Sequence, residues 1–216
     1  MSLTIALAKG RLQDETLARL ETAGVHVASE DLESRRLRVA DVSGRFELLL
    51  VKPADVPVYV EYGVADAGVC GSDVLAEHDA DVHEPLDLGF GRCRLAVAAP
   101  IESAGSDYSH VSTLRVATKY PNVAGAYFRH LGVPVELIAL SGSVELAPIT
   151  GLAERIVDLV ESGRTLAENG LAVTDVIAEI SARLIVNRAS YQLKRREIAE
   201  LVSMLDRKGG AGNHHA

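Results

Sequence analysis

At 216 residues, with 48% hydrophobic and 24% charged positions, the chain has room for one large domain or two lobes of about 100 residues each, and its composition is that of a globular protein. A formal net charge of −8 argues against a general nucleic-acid surface, which needs a basic face, yet allows a local cluster of Arg and Lys to hold a small anion. No apolar run approaches the roughly 18 residues of a membrane span, and the N-terminus lacks the basic stretch of a signal peptide, so a cytoplasmic protein without membrane contact is expected.

The first apolar run, Thr4 to Ala8, ends at Lys9-Gly10 and is followed by Leu12, Thr16, Leu17, Leu20 and Ala23 at helical spacing. This predicts a strand, a glycine turn and a helix. Leu37–Ala40 and Phe46–Val51 flank the turn cluster Ser43-Gly44-Arg45 and read as paired strands, and Pro53 opens a further helix. Ala67 to Cys70 repeats the pattern, with Gly71-Ser72-Asp73 starting the helix. Such alternation predicts an α/β fold with a largely parallel sheet.

A second series begins at Cys93. Strands are predicted over Cys93–Ala98, Leu114–Ala117, Val135–Ile138 and Ile156–Leu159, with a helix near Asn122 to Leu131. The strand Ala182–Val186 and a closing helix carrying Ile198, Leu201, Val202 and Leu205 follow. A late strand and helix suit a return to the first lobe. The expected architecture is therefore two α/β lobes with a cleft between them: residues 1–92 with 180–208, and residues 93–179, leaving a Gly-rich, disordered tail at 209–216. Cys70 and Cys93 belong to no metal-ligand spacing and read as buried free thiols, and the seven His residues are scattered. No metal site held by the protein alone is expected.

The stretch with chemical content is Asp158, Leu159, Val160, Glu161, Ser162, Gly163, Arg164 and Thr165. An apolar strand presents Asp158 near its C-terminal end, where open α/β sheets bind ligands, and then turns into a short helix over Thr165–Asn169 that Gly170 ends. Unpaired backbone N–H groups at a helix start, a glycine without Cβ and two hydroxyls suit a phosphate monoester, with Asp158 placed for ribose hydroxyls. The same residues also fit a plain turn, with Thr165 as helix cap and Asp158 as a surface acid.

The run Glu145-Leu-Ala-Pro-Ile-Thr-Gly151-Leu-Ala153-Glu-Arg-Ile156-Val-Asp158, continuing through Thr165-Leu166, resembles the motif of the ATP phosphoribosyltransferase family, with every fixed position filled. Ala8 to Leu12, Asp55-Val-Pro57, Gly71-Ser-Asp73, Ala117 to Tyr120 and Ala182 to Asn187 match blocks of that family in the same order. The resemblance implies two lobes of the periplasmic-binding-protein type, the first completed by the C-terminal segment. It implies transfer of the phosphoribosyl group from phosphoribosyl pyrophosphate to N1 of ATP, the first step of histidine biosynthesis, with substrate-bound Mg2+.

By the same resemblance, the loop from Asp158 to Thr165 holds the ribose 5-phosphate and hydroxyls. Lys9, Arg11 and Arg35 are the catalytic cations expected at the departing pyrophosphate, where charge develops. Without the resemblance, Arg35-Arg36 reads first as a solvated charge run. Gly71, Asp73, Tyr120 and Glu145 fall on the ATP side, although Tyr120 also fits a ring packed at a helix start and Glu145 a plain helical position. Lys52 stands where relatives usually carry Arg; it keeps the charge but loses the bidentate fork. The long form of the family continues past the closing helix into a histidine-binding domain, and this chain resembles the short form. That implies a regulatory subunit related to histidyl-tRNA synthetase and a homodimeric catalytic core within a hetero-oligomer.

Two other readings compete. A phosphoribosyltransferase of the common purine or pyrimidine type would show two adjacent acids before the loop, whereas Leu159 follows Asp158. A solute-binding protein would close two lobes on an anion without chemistry.

Overall fold

In the computed structural model, residues 2–33, 36–106 and 112–206 are described. Arg35 and the tail 209–216 lie outside them. The chain divides into two units: one built from Met1–Leu75, Asp79–Gly91 and the described residues from Ser181 on, the other from Ala76–His78 and Arg92–Ile180.

The first unit begins with β1 (Leu3–Ala8), an apolar run buried along almost its whole length, as a central strand must be. Gly10 adopts φ +100 and turns the chain into α1 (Gln13–Thr22), which buries Thr16 and Leu20 on one face. After the short α2 (Ser29–Glu33), β2 (Arg38–Ala40) and β3 (Phe46–Val51) form the expected antiparallel pair. Their turn is tied by Asp41, whose carboxylate accepts hydrogen bonds from the N–H groups of Ser43 and Phe46. A single 3-10 turn at Pro53–Asp55 then leads into α3 (Val56–Glu61), β4 (Ala67–Gly71), α4 (Ser72–His78) and β5 (His83–Asp87).

The C-terminal part returns as β11 (Ala182–Val186), α8 (Arg188–Leu193) and α9 (Arg195–Asp206). The strand order is β2-β3-β1-β4-β11-β5, so β11 sits inside the sheet rather than on its edge. It runs antiparallel to both β4 and β5, while β1 is parallel to β3 and β4. One face of the sheet carries a core that includes Ile5, Leu7, Leu48, Val69 and Leu184, to which α9 adds Ile198, Leu201 and Leu205.

On the other face, α3 lies almost in contact with the β4 backbone. A Cβ at Gly68 would stand 2.8 Å from methyl groups of Val56 and Val60 and 3.2 Å from the Ala6 carbonyl oxygen. Gly68→Ala is therefore expected to destabilise the protein by about 1–3 kcal/mol through overpacking, read by urea unfolding.

The second unit holds β6 (Cys93–Pro100), β7 (Leu114–Thr118), α5 (Pro121–His130), β8 (Val135–Ala139), α6 (Leu146–Ile149), β9 (Arg155–Val160), α7 (Arg164–Glu168) and β10 (Leu171–Ile180). The order is β10-β6-β9-β7-β8, with β7 parallel to β8 and β9, and β6 antiparallel to β9 and β10. Both sheets are thus mixed, which corrects the expectation of a largely parallel one. A strand buried on both faces reads the same in either direction, so its residues do not announce its sense. No helix of the described residues is long and apolar enough to cross a membrane.

Candidate active site

In each unit, the residues singled out by sequence lie at the C-terminal ends of the parallel strands, the side from which open α/β sheets present ligand-binding loops. In the second unit these are the ends of β7, β8 and β9. Thr118 closes β7: its buried hydroxyl donates to the Val157 carbonyl at 2.7 Å and accepts from the Tyr120 N–H at 2.9 Å. This one side chain ties the β7–α5 turn to β9, the strand that carries Asp158. Sequence reading gave it no role of its own; its cues are a hydroxyl at the end of an apolar run and its place in the block Ala117 to Tyr120.

Asp158 is half-buried in β9, opposite Ala96 of β6. Beyond Val160, Glu161 and Ser162 are exposed, and Gly163 takes φ +76 as the residue before α7. A Cβ there would meet only Val160 Cγ1, at 3.9 Å, so glycine is required by the backbone conformation and not by crowding. The Ser162 hydroxyl accepts from the Arg164 N–H at a long 3.4 Å. Thr165 lies within α7 and is not its cap, which removes one element of the plain-turn reading.

Among the described residues, no acceptor is assigned to the N–H groups of Thr165 and Leu166. With only five residues, α7 carries a small macrodipole. An anion in this loop would therefore be held chiefly by those N–H groups and the hydroxyls of Ser162 and Thr165. Leu159 and Val160 pack into the sheet, Arg164 is exposed, and Gly170 ends the helix with φ +68.

The other expected residues of this unit differ in character. Tyr120 is 8% exposed, and its ring belongs to the core formed with Val157 and Phe128, as the packing reading has it. Glu145 is half-buried at the start of α6, beside the loop that follows β8.

In the first unit, the ends of β1, β3 and β4 carry Lys9-Gly10-Arg11, Lys52 and Gly71-Ser72-Asp73. The Lys9 N–H donates to Val51 O at 2.9 Å, and Ala8 is in register with Val51, which sets Lys9 beside Lys52. Lys9, Arg11 and Lys52 are exposed, and none makes an ion pair among the described residues. Three such cations in an acidic protein make a local anion-attracting patch. Arg36, by contrast, pairs with Asp31 at 2.7 Å on the surface.

Gly71 and Asp73 act as one device. Asp73 is buried in the first turn of α4, and a Cβ at Gly71 would overlap its Oδ1. Its acid stands at the positive end of that helix and shapes the turn. Cys70, next to them, is buried, and burial first, then the charges of Asp73 and Glu84, push its thiol far above the ordinary range. That makes it an unreactive packing residue, as Cys93 is by burial. Among the described residues, no three His, Cys, Asp or Glu come together to hold a metal ion.

A family model described as HisG, ATP phosphoribosyltransferase, matches residues 52–207. The ATP phosphoribosyltransferase of Geobacter metallireducens is 48% identical over 206 residues, covering 95% of this chain and 97% of the relative. That of Bacillus licheniformis is 50% identical over 203 residues, covering 94% and 93%. Among solved structures, the ATP phosphoribosyl transferase (HisG:HisZ) complex from Thermotoga maritima aligns with a TM-score of 0.82 at 36% identity, over 94% of this chain and 96% of that one. The periplasmic aliphatic sulphonate binding protein SsuA from Escherichia coli aligns over 94% of this chain and 71% of that one, with a TM-score of 0.59 at 12% identity, a likeness of fold alone.

Proposed function

The chain belongs to the ATP phosphoribosyltransferase family, and from that premise we propose which of its residues carry the reaction. The reaction transfers the phosphoribosyl group from phosphoribosyl pyrophosphate to N1 of ATP, giving phosphoribosyl-ATP and pyrophosphate, as the first step of histidine biosynthesis. The observation that carries the assignment of roles is that the blocks around Lys9, Gly71 and Tyr120 and the strand of Asp158 stand at the C-terminal ends of the parallel strands of their own sheets.

Asp158 accepts the ribose hydroxyls, and the stretch from Glu161 to Thr165 holds the 5-phosphate. The placement of Asp158 two strand residues before the turn, with Gly163 in the left-handed conformation beyond it, supports this reading. Lys9 and Arg11 meet the departing pyrophosphate, a role that family likeness also gives to Arg35. Adenine N1 is a weak nucleophile, so cations at the leaving group and in-line positioning supply most of the rate gain. Lys52 is the neighbouring charge of that patch. Gly71 and Asp73 in the first unit, which shape the start of α4, and Glu145 in the second are assigned to ATP, and the buried Tyr120 contributes packing within the second unit.

Mg2+ is carried by the substrate's pyrophosphate, whose charge it neutralises. The working location is the cytoplasm. The catalytic core is a homodimer that assembles with a regulatory subunit related to histidyl-tRNA synthetase. The likeness to the chain from the Thermotoga maritima complex, end to end in both molecules, supports the partner.

Mixing the purified chain with ATP, phosphoribosyl pyrophosphate and magnesium is expected to release pyrophosphate. Release with another base but not with ATP would favour the common type of phosphoribosyltransferase, and binding without turnover a solute-binding protein. Histidine added to the chain alone is expected to leave the rate unchanged. Full inhibition in that assay would contradict the separate regulatory subunit.

A further inference from the structure

The segment that follows β5, Leu88 to Gly91, is held on both sides. Towards β11, the Leu88 N–H donates to Ala182 O and the Ala182 N–H to Phe90 O, each at 3.0 Å. Towards the β1–α1 connection, two arginines reach it: Arg19 Nη2 donates to Leu88 O at 2.9 Å, and Arg11 Nη1 donates to Gly91 O at 2.8 Å. The Leu88 side chain is buried in the same core as Leu12. A surface loop needs no such stitching. Here it fixes one carbonyl in front of the guanidinium that the family assignment places at the leaving group.

Gly91 meets two demands at that point. Its φ of +61 is a backbone conformation that favours glycine, and a Cβ in that position would overlap Leu12 Cδ2. Leu12 directly follows Arg11, so crowding at Gly91 is felt in the turn that carries the arginine. A guanidinium has five N–H donors in a rigid fork; one used on Gly91 leaves the rest for phosphate oxygens. An exposed, untethered arginine would lose rotamer freedom each time it engaged the leaving group.

We propose that Gly91 is a positioning residue for the transfer: its carbonyl holds Arg11 ready for the pyrophosphate. The inference rests on the role assigned to Arg11 above. Four enzymes test it: the wild type, Gly91→Ala, Arg11→Ala and the double variant, each first verified as folded by thermal unfolding. Gly91→Ala is expected to lower kcat by about tenfold or more, since small misplacements of a catalytic group are costly, with KM for both substrates within about twofold. In the Arg11→Ala background, the same substitution is expected to change kcat by less than about twofold, because the group it positions is gone.

Equal losses in both backgrounds overturn the proposal, as does unchanged kcat in Gly91→Ala beside an impaired Arg11→Ala. Wild-type kinetics in Arg11→Ala instead remove the premise, and the proposal with it, so the two failures are told apart. Should Gly91→Ala not fold, it is combined with Leu12→Ala, which removes the methyl group its Cβ would meet, and Leu12→Ala alone becomes the reference in the same comparison.

Discussion

Asp158→Ala is expected to lower kcat/KM for phosphoribosyl pyrophosphate by ~10-fold or more, the scale of lost charge-assisted hydrogen bonds to a sugar. The fold should survive it. Asp158 is half-buried near the end of β9, and the neighbouring pairing with β6 rests on backbone groups that the substitution leaves intact. Asp158→Asn separates charge from shape, keeping the size and one acceptor while losing the negative charge. A loss in Asp158→Ala that Asp158→Asn largely restores assigns the effect to hydrogen bonding, whereas equal losses assign it to charge. Steady-state kinetics with either substrate varied decide the matter, and unchanged constants in both variants would take Asp158 out of the site.

The second large effect concerns stability. Asp66, buried, lies between β1, β4 and the returning C-terminal segment. Its Oδ1 accepts from the Ser190 hydroxyl at 2.7 Å, and its Oδ2 from Lys194 Nζ at 2.7 Å and the Thr4 N–H at 2.9 Å. Its own carbonyl accepts from the Asn187 N–H, and the Asn187 side chain donates to the carbonyls of Val60 and Glu61. Asp66→Ala leaves an amine, a hydroxyl and an amide without their acceptor. It is expected to cost about 3 kcal/mol in urea unfolding, since removing one partner strands the others. At this chain length, that corresponds to a fall in Tm of roughly 6–12 °C.

The network also predicts a pH dependence. Burial by itself would raise the Asp66 pKa, but hydrogen bonds from Lys194, Ser190 and the Thr4 N–H, with the charge of Lys194, outweigh it and hold the carboxyl below its ordinary range. The unfolded chain then takes up the proton more readily than the folded one. The stabilisation is full above the unfolded pKa of about 4 and is lost as pH falls through the lower folded value. The stability difference between wild type and Asp66→Asn should therefore be constant above about pH 5 and shrink below pH 4. A difference that stays constant down to pH 3 would show that the charge of Asp66 is not what holds the segment.

Several of these features were open to reading in the sequence. The turn at Gly10, the hairpin around Ser43-Gly44 and the strand carrying Asp158 depend on local patterns: an apolar run, a residue able to take positive φ, then helical spacing. The strand β10 is not legible in the sequence, because its half-buried residues include Thr174 and Asp175, Glu179 is exposed, and its pairing with β6 is broken by register shifts. Likewise β5, at the edge of its sheet, offers only the polar run His83–Asp87. Boundaries moved little where a special backbone conformation marked them: α7 starts at Arg164, directly after Gly163, one residue before the expected Thr165.

By itself, the sequence determined the types of most elements, the glycine turns, the strand–turn–helix pattern around Gly163 and, through its ordered blocks, the family. These follow from side-chain periodicity, backbone freedom at single residues and the residue types that chemistry requires, all of which are local. Only the tertiary structure decided that β11 enters between β4 and β5 in the opposite sense, that Asp66 meets Lys194, and that Gly91 O meets Arg11 across 80 residues of chain. Each of those depends on which buried surfaces find one another after loop closure. The same apolar run or exposed arginine could satisfy several partners, and the packing of the whole chain selects one.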